Sequence, residues 1–213
     1  MTATAPATRP LTPAARRILE VASELFYTRG INTVGMELVA ERASVTKKTI
    51  YDRFGSKQEL VVAYLRTRDD RWRGYVTDHL ERAATPRARV LATFDALHAW
   101  MGEENPRGCA MLNAYTELSD PGHPGRAVAE GQKRWLRGLL AEFVAEAGVA
   151  DPDVLAHPLA MLHEGAVVAR GVLGETGAAL TARAAAETLM AAHGVTGDVP
   201  AAVAPASAAV TAS

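Results

Sequence analysis

The stretch that decides the fold runs from Met36 to Lys57, MELVAERASVTKKTIYDRFGSK. It predicts a short helix over Met36 to Ala43, a tight turn at Ser44-Val45, and a second helix from Thr46 to about Phe54. Leu38, Val39, Ala43, Val45, Ile50 and Phe54 form the side to be buried. Thr46, Lys47, Lys48, Thr49, Tyr51 and Arg53 leave polar, mostly basic groups outside. Two short helices joined by such a turn make a helix-turn-helix, a motif that lays its second helix in the DNA major groove.

The flanking residues supply the punctuation. Ser44 stands where the turn demands a left-handed residue, a place suited to glycine. Thr46 is an N-cap whose hydroxyl can accept a backbone N–H. After Gly55, Ser56 caps the next helix, with Glu59 placed to complete a capping box. Lys57 falls in that helix's first turn, where exposed N–H groups beside a lysine suit a DNA phosphate. The helix is expected to continue through Leu60, Ala63, Tyr64, Trp72, Tyr75 and Val76 to about Ala83. Upstream, Thr12 and Pro13 open a helix with an Ile18, Leu19, Ala22, Leu25, Phe26 stripe that Gly30 stops. Val34-Gly35 opens the helix after it.

On the second helix, a lysine can bond guanine O6 and N7, and a threonine methyl can touch the thymine methyl. Asp52 would repel phosphate, so it either reads a cytosine amino group or pairs with a neighbouring basic residue; pairing is expected.

Charge is divided along the chain. Residues 9–68 carry eleven Lys and Arg against six Asp and Glu, a balance of +5, and residues 69–213 carry twelve against eighteen, a balance of −6. A basic module on an acidic body suits a nucleic-acid reader with a separate second domain. No apolar run approaches the length that spans a bilayer and no signal-peptide core is present, so a cytoplasmic, nucleoid-associated location is expected. The single cysteine, Cys109, rules out an internal disulfide and any multi-cysteine metal site. No HExxH, phosphate loop or nucleophile elbow occurs. His163 and Glu164 are adjacent and point to different faces, so with His157 they make no metal set. No catalytic residue, metal or cofactor is expected.

The rest of the chain predicts further helices. One opens at Pro86 with Val90, Leu91, Phe94, Leu97, His98 and Met101 and ends by Asn105-Pro106. A shorter one runs from Gly108 to about Ser119, and 120–125 reads as a loop. A long helix with Val128, Trp135, Leu136, Leu139, Leu140, Phe143 and Val144 closes at Gly148. Two more span about Pro152 to Gly171, with Pro158 kinking the helix or marking its start, and about Ala178 to His193. Gly and Ala are frequent on this last pair, which suits a four-helix dimer interface. The expected division is a disordered arm over 1–10, a DNA-binding domain over 11–56, a connecting helix over 57–84, an effector-binding and dimerisation domain over 85–194, and a disordered tail over 195–213.

Residues 12–65 resemble the DNA-binding domain of the TetR family of bacterial transcriptional regulators. The likeness rests on Ala40-Glu41-Arg42-Ala43-Ser44-Val45-Thr46-Lys47-Lys48-Thr49-Ile50-Tyr51-Asp52-Arg53-Phe54-Gly55-Ser56-Lys57-Gln58-Glu59-Leu60. Ser44 replaces the usual glycine, and Val34-Gly35 replace threonines that touch phosphate in many members. A weaker likeness to a subgroup's C-terminal domain rests on Arg107-Gly108-Cys109-Ala110-Met111-Leu112-Asn113-Ala114, His123-Pro124 and Lys133-Arg134-Trp135-Leu136.

The resemblance implies an all-α protein: a three-helix DNA-binding domain plus a larger helical ligand-binding and dimerisation domain. It implies that Lys47, Lys48, Thr49, Tyr51 and Arg53 face DNA beside the cap Thr46, with Tyr51 and Lys57 on phosphate; a packing role for Tyr51 is the alternative. It also implies a homodimer, formed through the two C-terminal helices, on double-stranded palindromic operator DNA. A small-molecule effector of unknown identity would release a repressor. His98, Met101, Cys109, Asn113, Trp135 and Met161 are candidate lining residues, as polar or adaptable groups on apolar helices. The alternative is a DNA-binding regulator with no small ligand, controlled by a partner or by oxidation of Cys109.

Overall fold

The computed structural model describes residues 11–103 and 107–197. The expected arm over 1–10, the Asn105-Pro106 helix end and most of the expected tail lie outside these residues. The described residues are helical, with no strand among them. The elements are α1 (Pro13–Arg29), α2 (Met36–Ala43), α3 (Lys47–Phe54), α4 (Lys57–Leu80), α5 (Pro86–Glu103), α6 (Ala110–Glu117), α7 (Pro124–Glu146), α8 (Asp153–Val168), extended by a π-turn at Ala169–Leu173, and α9 (Ala178–Ala192).

These helices pack as two compact units. Among the described residues, the first takes those up to Arg71 together with Cys109–Gln132, and the second those between Trp72 and Gly108 and from Lys133 onward. The core of the first unit joins Ile18, Ala22 and Phe26 of α1 to Val39 and Ala43 of α2, Ile50 of α3, and Leu60 and Leu65 of α4. Met111 and Ala114 of α6 close it. Leu38, Val45 and Phe54, expected inside, are partly buried and pack on its rim.

In the second unit α9 packs against both α5 and α8. Phe94 of α5, Leu155 and Leu159 of α8, and Ala179, Ala186 and Met190 of α9 are among its sealed apolar side chains. Of the two alternatives for Pro158, one fails, and one residue of the expected tail is packed. Helix α8 starts at Asp153 and runs through Pro158, so the proline does not mark its start. The missing N–H deprives only the carbonyl of Val154, a residue more than half exposed. At its C-terminal end the helix widens into the π-turn before Gly174 (φ 73°) ends it. Val195, placed in the expected tail, is buried, and its N–H donates to the Met190 carbonyl.

Candidate nucleic-acid interface

The turn between α2 and α3 is built from short-range hydrogen bonds. Ser44 adopts φ 55°, ψ 45°, the left-handed conformation its position demands. Its N–H donates to the Glu41 carbonyl at 3.1 Å and the Val45 N–H to the Ala40 carbonyl at 3.0 Å, a Schellman closure. Thr46 then caps α3, its hydroxyl accepting the Thr49 N–H at 3.1 Å and lying 2.9 Å from the Thr49 hydroxyl. Gly55 (φ 77°) ends α3, and the Ser56 hydroxyl accepts the Glu59 N–H at 3.1 Å, the forward half of the expected capping box.

Only Ile50 of α3 is fully buried. Lys47, Lys48, Tyr51, Asp52 and Arg53 are exposed and Thr49 is half-buried, so all but the Ile50 side of α3 is polar. Tyr51 is 45% exposed and outside the core, so the packing alternative finds no support. Asp52 pairs with a neighbouring basic residue, as expected; the partner is Lys48, at 3.3 Å. Lys47 donates to Glu37 of α2 at 2.6 Å. This bond, the backbone N–H of Glu37 and the Lys47 charge hold the Glu37 carboxyl below its ordinary value. The same bond and the Glu37 charge raise Lys47. Two of the three basic groups of α3 are thus tied to carboxylates.

Lys57 stands in the first turn of α4, half-buried, and that burial lowers its pKa against a weaker opposing pull from Glu117. Glu117, which sequence reasoning passed over, braces the reader. Its carboxylate accepts the Asn32 N–H at 3.0 Å, and its carbonyl accepts the Asn32 side-chain amide at 2.7 Å. A β-carbon at Gly30 would stand 3.0 Å from that carboxylate, and Gly30 itself has φ 93°. The contact spans 85 residues of sequence, so no local signal announces it.

The family model for bacterial regulatory proteins of the tetR family matches residues 18–64, the span of this site. A TetR-family transcriptional regulator from Streptomyces coelicolor superposes with a TM-score of 0.79 at 30% identity, covering 84% of this chain and 95% of that one. The chain belongs to the TetR family. A second TetR regulator, from Streptomyces avermitilis, superposes with a TM-score of 0.73 at 29% identity over 86% of this chain and 99% of that one. The transcriptional regulator YjdC of Escherichia coli is 27% identical over 151 residues, 70% of this chain and 78% of its own. The transcriptional activator FasR of Mycolicibacterium smegmatis is 30% identical over 105 residues, 49% of this chain and 48% of its own. This TetR-family protein is therefore a DNA-binding transcriptional regulator and not an enzyme. No helix among its described residues is long and apolar enough to cross a membrane.

The six effector candidates of this TetR regulator fall in different settings. Cys109 and Asn113 belong to the first unit, both half-buried. Cys109 is the N-cap of α6, its sulfur accepting the Leu112 N–H at 3.4 Å. In the second unit Met101 is sealed in the core, and Trp135 lies under the Arg73 guanidinium, 4.6 Å from its ring centre. His98 is exposed and Met161 is 66% exposed. In the single chain the helical register turns both side chains to solvent. The sealed ionisable side chain among the described residues of this unit is His163, 3% exposed. Its neighbour Glu164 turns away to hold Lys133 with both carboxylate oxygens at 2.9 Å.

Proposed function

We propose that this regulator binds a palindromic operator as a homodimer and, as a repressor, is released by a small-molecule effector. One observation carries the dimer: an apolar stripe left open on α8, its π-turn and α9. Val154, Met161, Val168 and Val172 recur at intervals of seven, seven and four residues, so they share one face. Val172 is 77% exposed, and Leu173 and Leu180 extend the patch. A contiguous apolar face of this kind marks an association surface. A two-fold pair burying it would present two α3 helices to DNA, and half-sites about one helical turn, ~34–36 Å, or a multiple of it apart would match that symmetry.

Within each half, α3 would read bases with Lys47, Lys48, Thr49 and Arg53 beside the cap Thr46, while Tyr51 and Lys57 hold phosphates. Release by an effector requires a ligand that prefers the non-binding form. Control by oxidation of Cys109 is less well supported, because its sulfur already serves as a helix cap. In-vitro selection of bound DNA tests the reading. An enriched palindrome is expected, with affinity falling steeply as salt rises; recovery of no palindrome sinks it.

A further inference from the structure

The second unit holds a polar group that its fold does not satisfy. Neither ring nitrogen of His163 has a hydrogen-bond partner in the structure. The imidazole instead sits against two aromatic rings, Trp72 at 5.8 Å and Phe94 at 5.6 Å between centroids. Trp72 in turn meets the edge of Trp100 at 5.6 Å. The backbone of Thr93 pulls the imidazole upward against burial, as a nearby acceptor does, but it does not reach hydrogen-bond geometry with either nitrogen, and the Thr93 hydroxyl donates to the Val90 carbonyl at 2.7 Å. Buried polar groups are ordinarily bonded, because an unpaired one bears its whole desolvation cost.

Burial, then the Lys133 charge, push the imidazole down to about 3. The ring is therefore neutral near pH 7 and offers one N–H donor and one bare acceptor nitrogen. Lys133 is already neutralised by Glu164, so a charged ligand beside the ring would meet no free counter-ion. The open cleft of about 410 Å³ elsewhere in this unit is a poorer receptor. Two of the three guanidiniums that line it are spent on its own carboxylates, Arg183 on Asp95 at 2.8 Å and on Glu187 at 3.2 Å, and Arg87 on Glu187 at 3.4 Å.

We infer that His163 is the polar anchor of the effector site, and that the effector is an uncharged, largely apolar ring compound whose hydroxyl bonds the imidazole. The inference rests on the effector reading above and names its ligand class. The rings of Trp72 and Phe94 supply flat apolar contact for such a molecule. His163 is enclosed in the form described here, so binding selects a form in which these side chains part, a pocket made dominant by its ligand. Trp72 is carried on α4, the helix whose first turn holds Lys57, so the ligand and the reader bear on one continuous element.

Calorimetry with the full chain and four probes of one ring system tests this: naphthol, naphthalene, naphthoate and naphthylmethylammonium. Naphthol is expected to bind at least about tenfold more tightly than the other three, the worth of a hydrogen bond to an otherwise unpaired buried group. His163→Phe, which keeps a ring in place, is expected to erase that preference while operator affinity without ligand stays within about twofold. Nuclear magnetic resonance of nitrogen-labelled histidine on the wild-type chain needs no variant: naphthol, and not naphthalene, moves the His163 bare-nitrogen signal. Equal binding of naphthol and naphthalene, a preference that survives His163→Phe, or an unmoved ring nitrogen each overturns the inference. Operator binding in the same preparations keeps the two readings apart, since a selected palindrome with no naphthol preference rejects only the ligand assignment.

Discussion

The reader over residues 36–57 and the C-terminal helix pair α8–α9 are governed by different physics. Within the reader, the caps and turn close through hydrogen bonds spanning five residues or fewer: Val45 to Ala40, Ser44 to Glu41, Thr49 to Thr46, Glu59 to Ser56. Within α8 and α9 local chemistry points weakly. A proline sits inside one helix, neither N-cap supplies a side-chain hydrogen bond, and the end of α8 widens into a π-turn. There the neighbours decide which face is inside. The difference teaches that short polar bonds specify the helix-turn-helix, while packing specifies the C-terminal pair proposed to associate.

The largest expected effect challenges the reader's dependence on one buried side chain. Ile50 is the only fully buried residue of α3, so Ile50→Ala is expected to cost about 3 kcal/mol, read by denaturant unfolding. A cost under ~1 kcal/mol would show that the caps alone hold α3 in place.

Next, Val172→Glu places a charge on the apolar stripe. Dimer dissociation is expected to become at least about a hundredfold easier, read by sedimentation, with the helical spectrum of the chain unchanged. A dimer of undiminished affinity would move the interface off this face.

The third effect separates the sealed body from the exposed reader by pH. His163 falls from 6.5 to about 3 on folding, so between those values the unfolded chain binds the extra proton. Its contribution to stability is fully present above about pH 6.5 and is lost as pH falls toward 3, by up to about 1.4 kcal/mol per pH unit. Comparing wild type with His163→Phe isolates this slope, and equal slopes would place the imidazole in water.

The smallest effect sharpens the account of the turn. Ser44 bears the left-handed strain of a non-glycine residue, roughly 1 kcal/mol, which glycine's extra freedom in the unfolded chain partly offsets. Ser44→Gly is expected to raise stability by about 0.5 kcal/mol, read by thermal unfolding; a loss would show that the Ser44 side chain supports the turn.

The candidate site was legible to the extent that its bonds are local. The left-handed Ser44, the caps at Thr12, Thr46 and Ser56, the stop at Gly30 and the Lys48–Asp52 pair follow from residues a few positions apart. Lys47 was legible as a surface base, but its bond to Glu37 joins two helices across ten residues. Glu117 was not legible, because its partner lies 85 positions away. In the body, His98 and Met161 sit on apolar-looking helices yet face solvent. Leu180 faces outward while Ala179, Ala182 and Ala186 are buried, since α9 turns its small residues toward α5 and α8, where backbones approach closely. Hydropathy favours the leucine for the inside, and close helix packing reverses that choice.

By itself, then, the sequence determined an all-helical regulator with a helix-turn-helix at Met36 to Lys57, because caps, turn residues and spaced apolar side chains act over a few residues and need no distant partner. Tertiary structure alone decided that α6 braces the reader through Glu117, that α8 and α9 leave Val154, Met161, Val168 and Val172 open, and that His163 is the histidine sealed among aromatic rings. Burial depends on what the rest of the chain places opposite a side chain, and no spacing within one helix records that.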